Sequence, residues 1–491
     1  MKKIYLLFLL NIAFATSCTD LSEDIYDAIP VEKFPENDKQ AALISVPVYS
    51  PMKDLLDWGG WWFSQELPGD DVVCPTRLTD WDDGGKWRVL HTHEWTNETE
   101  AVTGMWGKFY EGIVEANQII ESLASAEQNS TTLQVISEVK TMRAFYYYLL
   151  IDNYGDVPYV TSFADADPEP MKNTRAEVYT SLVQDLEEAV LYLKNENIKT
   201  LATKQMANSL LAKLYLNAEV YSGQAEWAKA EAKCDSIIAS GFYSLEANAL
   251  APFVTNNEKS SENIFTIPFD RDNLKGFNLH MRTLHYNHNE TFDLTVGTWN
   301  GFAVTEDHFN SFSDDDARKE GFLYGPQFSS SGAALIDGTT GTPVVINPVI
   351  PALVMDASYT SEEIRMSGAR VAKFEIASGA NDNLSNDFPV FRYADVLLMK
   401  AEAMIRQGKN GDEYVNMVRE RAGVDAWTNT SLDQLLEERS RELYWEGHRR
   451  QDLIRFGKFG DSWWEKAASS ADRETYPIPL WATQGNPNLE L

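Results

Sequence analysis

The sequence predicts a mainly α-helical chain in which tetratricopeptide-like helix pairs, an α-α superhelix, support an irregular region with short strands. Three observations carry that prediction. Apolar residues recur at steps of three and four over residues 102–245 and again over 386–459. Capping signals punctuate both stretches. Residues 252–385, by contrast, are rich in Asn, Gly, Ser, Thr and Asp and hold no helical period for long.

The chain opens on Lys2 and Lys3, an apolar run from Ile4 to Phe14, and Ala15-Thr16-Ser17-Cys18. A basic start, a run too short to span a bilayer and small residues at the break describe a secretory signal over residues 1–17. Because it ends on Cys18 it resembles a bacterial lipoprotein signal, whose cysteine is lipidated and becomes the first mature residue. The expectation is an exported protein held on a membrane by acyl chains.

Residues 50–100 form a loop-rich stretch of unusual composition. Seven of the 14 tryptophans (Trp58, Trp61, Trp62, Trp81, Trp87, Trp95 and Trp106) fall within 49 residues. Trp95 and Trp106 read as core, since Trp106 opens a helical stripe with Tyr110 and Ile113. At least half of the seven are expected to be buried. The helices follow. Leu133, Ile136, Val139, Met142, Tyr146 and Leu149 make one apolar face that Gly155 and Pro158 stop. Thr174 and Glu177 form a capping box ahead of Val178, Leu182 and Leu186. Ala207 to Tyr221, a turn at Ser222-Gly223-Gln224, and Trp227 to Ala239 make a helix–turn–helix of tetratricopeptide length. Such units cannot bury their faces alone, so several must stack. After the irregular stretch 252–385, Ala394, Leu397, Leu398, Ala401 and Ile405 restore the stripe, and Ser431 with Gln434 caps a further helix.

Charge and cysteine content narrow the function classes. With 74 acidic against 42 basic residues the formal charge is −32, a field that repels a phosphate backbone, so nucleic-acid binding is disfavoured. Cys74 and Cys234 are expected to be buried free thiols, as Cys234 lies in a predicted helical stripe.

The C-terminal third carries several motifs in series: Phe391-Arg392-Tyr393-Ala394-Asp395 leading to Leu397-Leu398-Met399-Lys400-Ala401-Glu402-Ala403, then Val418-Arg419-Glu420-Arg421-Ala422-Gly423. Glu438-Arg439-Ser440-Arg441-Glu442-Leu443, Glu446-Gly447-His448-Arg449, Asp452-Leu453-Ile454-Arg455, Tyr476-Pro477-Ile478-Pro479 and Asn486-Pro487-Asn488-Leu489 follow. Upstream, Arg143-Ala144-Phe145-Tyr146-Tyr147-Tyr148-Leu149 before Tyr154-Gly155-Asp156-Val157-Pro158, and Asp316-Ala317-Arg318, belong to the same pattern. In order and spacing the chain, taken as one unit over residues 18–491, resembles the SusD/RagB family of outer-membrane nutrient-binding lipoproteins. The resemblance implies four tetratricopeptide-like pairs under a looser ligand-binding region built from residues 50–100 and 252–385. It also implies a non-catalytic protein on the outer face of the outer membrane, binding an oligosaccharide or other nutrient for a SusC-like TonB-dependent transporter. No cofactor is implied. Arg450-Gln451, where the family carries bulky aromatics, depart from the pattern.

Two clusters compete as sites. Glu446 and His448 could be an acid/base pair, but the density of charge around them (Glu442, Arg449, Asp452, Arg455) favours an ion-pair network that locks the last helices together. The tryptophan-rich loop is the better candidate. Sugars present flat C–H faces that pack on indole, and their hydroxyls need charged or amide partners. Trp81 is the expected exposed platform, flanked by carboxylates that would be costly to bury unpaired, with Arg77, Asp80, Trp87 and Asn97 around it, joined from the middle region by Tyr286, His288 and Trp299. Trp58, Trp61 and Trp62 stay ambiguous, although Gly59-Gly60 suggests a close approach. His91-x-His93 on a strand and His285-x-x-His288 on a helix are incomplete metal sites, and Asp314-Asp315-Asp316 lacks the spacing of a calcium loop; no metal is expected. Two other functions remain open: a secreted glycoside hydrolase using two carboxylates, and a tetratricopeptide scaffold for protein partners.

Overall fold

The computed structural model describes residues 38–490; Cys18 and the signal read from residues 1–17 lie outside them. The fold is mainly α. Its principal helices are α1 (Asp38–Tyr49), α2 (Trp61–Glu66), α3 (Glu100–Ser122), α4 (Ser130–Tyr154), α5 (Arg175–Ala189), α6 (Lys204–Leu216) and α7 (Trp227–Ala239), then α8 (Tyr393–Arg406), α9 (Asp412–Arg421), α10 (Leu432–Leu443) and α11 (Arg449–Arg455). They stack as pairs. The helix α3 packs on α4, α4 on α5, α6 on α7, and α7 on α8, which carries α9 and α10. Local sequence explains their ends. Asn129 caps α4 by accepting the Thr132 N–H at 3.0 Å, and Gly155, at φ +75°, ends it. The capping boxes at Thr174/Glu177 and Ser431/Gln434 are both formed.

The helix α4 shows why these pairs must stack. From Val139 to Tyr154 nearly every side chain is buried, because neighbours cover both flanks. Gly112 of α3 leaves no room for a Cβ against the Tyr146 ring, so the two helices touch there. Cys74 and Cys234 are buried and unpaired.

Between α7 and α8 the chain forms short helices and strands. The longest pairing joins Asn263–Ile267 to Phe388–Arg392, antiparallel, and seats the middle region on the helices. Two-residue pairings bind it to the tryptophan-rich segment: Val72–Val73 lies antiparallel to Ala303–Val304, and Thr76–Arg77 parallel to Val354–Met355. These ties bring residues 76–87 beside residues 298–302. Among the described residues, no helix is long and apolar enough to cross a membrane.

The charged C-terminal motif is a buried ion-pair layer. Arg392 meets Glu446 at 2.6 Å, Glu442 at 2.6 Å and Glu262 at 2.8 Å; Arg318 meets Glu438 and Asp316, each at 2.7 Å. Lys373 reaches Glu446 at 2.6 Å, and Arg439 reaches Asp452 at 2.7 Å. Burial pushes the Glu446 carboxyl up, but Arg392 and Lys373 outweigh it and hold it below the usual range. His448 is pushed down to about 3 by burial and by Lys213, whose Nζ stands 3.1 Å from Nδ1. Each charged group here is matched by an oppositely charged or hydrogen-bonded neighbour from another element, the arrangement of an ion-pair layer that locks helices together. Arg450 and Gln451 belong to an adjoining polar layer: Arg450 reaches Asp152 at 3.2 Å, and Gln451 donates to Tyr148 at 2.7 Å and Asp152 at 2.9 Å. Polar pairing under α4 thus occupies the place expected for aromatics.

Candidate ligand-binding site

A cleft of about 520 Å³ opens where the tryptophan-rich segment meets the middle region. Its walls are aromatic: Trp58, Trp81 and Trp87 from one segment, Tyr286 and Trp299 from the other. Trp58 stands 5.7 Å from Trp299 and 6.2 Å from Trp81 between ring centres, inclined at 33° and 38°. The rim carries Asp80, Asp83 and Lys86; Thr298 also lines the cleft but is buried, its hydroxyl donating to the His285 carbonyl at 2.6 Å.

The loop builds this surface by bending sharply. Leu78 and Trp81 both sit at φ +59°, and Arg77 and Asp80 exchange backbone hydrogen bonds at 2.9 and 3.0 Å. The turn throws Trp81 toward Trp299, whose carbonyl accepts the indole N–H at 2.8 Å. Gly301 makes room for it, since a Cβ there would strike the Trp81 ring. On the rim the Tyr286 hydroxyl donates to Asp80, and burial together with that carboxylate pushes it up to about 12. Tyr286 therefore remains a donor at neutral pH. The other charges are partly committed: Lys86 pairs with Glu100 at 2.7 Å, and Asp83 accepts the Trp87 indole N–H at 2.7 Å.

The structure brings Trp81, Asp80, Trp87, Tyr286 and Trp299 together, with differing roles. Trp81 and Trp299 are half-buried, and Trp81 is an anchored wall more than a free platform. Trp87 is buried, stacked 4.9 Å from Phe63. Trp58, ambiguous in the sequence, is the open indole at 39% exposure. Four of the seven clustered tryptophans (Trp62, Trp87, Trp95 and Trp106) are buried.

Several expected positions must be corrected. Arg77 is buried, and its guanidinium donates to Ser367 Oγ at 3.1 Å and to the Ser367 carbonyl at 3.0 Å, so it braces the middle region instead of lining the cleft. Asn97 is not part of the cleft; its carbonyl accepts the Leu480 N–H at 3.0 Å. His288 is buried with Nε2 3.1 Å from Gln327 Oε1. His91 closes a short helix, Arg88–His91, in place of the expected strand and bonds the Trp464 carbonyl at 2.8 Å, while His93 bonds that of Pro68 at 2.9 Å. Asp316 is held by Arg318. Among the described residues, no group of three or more His, Cys, Asp or Glu side chains is placed to hold a metal ion. Thr298 and Arg282, which bear on the cleft, carry no sequence signal: one is a lone threonine, the other a buried arginine on a five-residue helix.

Two family models match the chain, one described as the SusD family over residues 357–489, the other as starch-binding associating with outer membrane over residues 76–216. The chain belongs to the SusD/RagB family. As a SusD-like protein it is similar to the starch-binding protein SusD of Bacteroides thetaiotaomicron, with 26% identity over 86% of this chain and 83% of that one. It is equally similar to SusD-like protein P25 of Formosa agariphila, 26% identical over 96% and 95% of the two chains. Among solved structures it resembles a SusD-like carbohydrate-binding protein from Bacteroides fragilis, with a TM-score of 0.76, 20% identity and coverage of 93% and 100%. It also resembles surface glycan-binding protein A from Bacteroides thetaiotaomicron in complex with laminarihexaose, with a TM-score of 0.74, 22% identity and coverage of 91% and 98%.

Proposed function

We propose that this SusD-like protein captures an oligosaccharide in the Trp58–Trp81–Trp299 cleft and delivers it, unchanged, to a TonB-dependent outer-membrane transporter. The observation that carries the reading is the cleft itself: inclined indoles with a polar rim on a rigid helical support. Each indole that meets a sugar face contributes roughly 0.5–1.5 kcal/mol beyond area burial, by analogy with aromatic pairs. Asp80 and Lys86 supply hydroxyl partners at the edge. The starch- and laminarihexaose-binding relatives support a glycan as the ligand class. In this reading acylated Cys18 holds the protein on the outer membrane, facing outward.

The reading is tested by affinity electrophoresis in polysaccharide gels and by calorimetry with a panel of laminari-, malto- and cello-oligosaccharides. The expected outcome is retention by at least one glycan, loss of that retention in Trp58→Ala, and no release of reducing ends on prolonged incubation. Retention unchanged in Trp58→Ala would reject the site, and reducing-end release abolished by a single carboxylate substitution would establish the hydrolase instead.

A further inference from the structure

Beside the cleft lies a buried charge with an unusual set of neighbours. Arg282, on the short helix Leu279–Thr283, has no exposed surface. Its Nη2 donates to the Leu56 carbonyl, while Nε and Nη1 have no hydrogen-bond partner. An interior cation is ordinarily matched by a carboxylate. Here the guanidinium carbon lies 4.3 Å from the ring centre of Phe63, 4.9 Å from Trp58 and 5.4 Å from Trp62. Among the described residues Asp57 is the one carboxylate that acts on the group, without forming a salt bridge, and ring faces stand against the guanidinium; the attraction of a cation for a ring face grows as both are desolvated.

Trp58 is the member of this cage that the cleft uses. The indole N–H groups of Trp81 and Trp87 are each tied to an acceptor, at Trp299 and Asp83. Among the described residues the Trp58 indole N–H has no such tie, and the residue precedes Gly59 at φ +66°. Its orientation therefore depends on ring contacts, with Arg282 the charged one among them. Mobility at Trp58 would cost binding energy, because an ordered side chain must be fixed before a ligand can use it.

We propose that Arg282 is a positioning residue of the ligand site: its guanidinium, caged by ring faces, fixes the angle at which Trp58 meets a glycan. Its bearing on ligand rests on the proposed function, whereas the clamp on Trp58 does not. Arg282→Met removes the charge at similar length, and Arg282→Lys keeps the charge. With 5-fluorotryptophan incorporated, Trp58→Phe identifies the Trp58 fluorine resonance. Arg282→Met is expected to shift and broaden that resonance while leaving that of Trp106 in place. It should also raise the Kd for the best-retained oligosaccharide of the panel about tenfold, with most of the loss recovered in Arg282→Lys. A Trp58 resonance unmoved in Arg282→Met, or a Kd within twofold of the parent, overturns the proposal. Should Arg282→Met fail to fold, Arg282→Gln, which retains a donor for Leu56, carries the same two readouts. If the parent retains no glycan, the proposed function fails and the Trp58 resonance alone decides the clamp.

Discussion

Trp58 and Trp81 line one cleft but are held differently, and that difference separates what each substitution does. Trp81 is tied to the Trp299 carbonyl, packs edge-on against Phe302 at 5.3 Å and fills the space left by Gly301. Trp81→Ala removes a wall of the site and part of the local packing together, so glycan retention is expected to fall while stability drops by about 2 kcal/mol, less than a fully buried tryptophan would cost. Trp58, more open and without an indole hydrogen bond, should cost about 1 kcal/mol when truncated. Urea unfolding checks the contrast: equal midpoints for the two variants would show that Trp81 is not anchored as described. The expectation from sequence, a freely exposed Trp81 platform, is thereby revised. Flanking carboxylates suggested an exposed ring; the turn at φ +59° buries half of it.

At the scale of elements, the helices were legible and the cleft only partly so. Apolar steps of three and four, and the boxes at Thr174/Glu177 and Ser431/Gln434, are local signals, and the helices form where they point. The cleft is assembled by two-residue pairings between segments more than 200 residues apart, Val72–Val73 with Ala303–Val304 and Thr76–Arg77 with Val354–Met355, which leave no period to read. Arg77 illustrates the limit: beside Asp80 and Trp81 it reads as a ligand contact, yet strand pairing turns it inward to Ser367. The C-terminal ion-pair layer was legible as a network because its charges outnumber what chemistry needs. Its energetics give a second prediction. Arg392→Met leaves Glu262, Glu442 and Glu446 short of a partner in the interior, although Arg421 still serves the first two and Lys373 the third. Breaking one member of a buried pair costs about 3–5 kcal/mol. Chemical denaturation should show that loss with an unchanged m value; a loss under about 1 kcal/mol would mean that Arg421 and Lys373 suffice.

At the scale of the molecule, all seven histidines are buried. Burial pushes each of them down: His91 and His280 to about 4, His93, His288, His308 and His448 to about 3, and His285 to about 2. For a base with a depressed folded pKa the sign is fixed. As pH falls through the unfolded value near 6.5, the unfolded chain gains protons that the folded chain refuses, so the stability present above about pH 7 is lost below it. Each such site contributes a slope of up to about 1.4 kcal/mol per pH unit. Five acids oppose this. Burial pushes Asp71 up to about 7 and raises Glu66, Glu138, Glu262 and Asp387, so each takes up its proton in the folded state before the unfolded state does. The ion-paired carboxylates Glu442 and Asp452, held below their usual range against the upward push of burial by Arg421 and Arg392 and by Arg439 and Arg455, add their own loss only as pH falls below about 4. The seven histidines outnumber the five raised acids, so the balance at pH 5.5 is a net uptake of protons on unfolding. Calorimetry across pH 5–8 measures it through the dependence of Tm on pH at known unfolding enthalpy. The absence of any net uptake would show that the histidines are not held neutral, and with that the burial that closes the helical support around the cleft would be overturned.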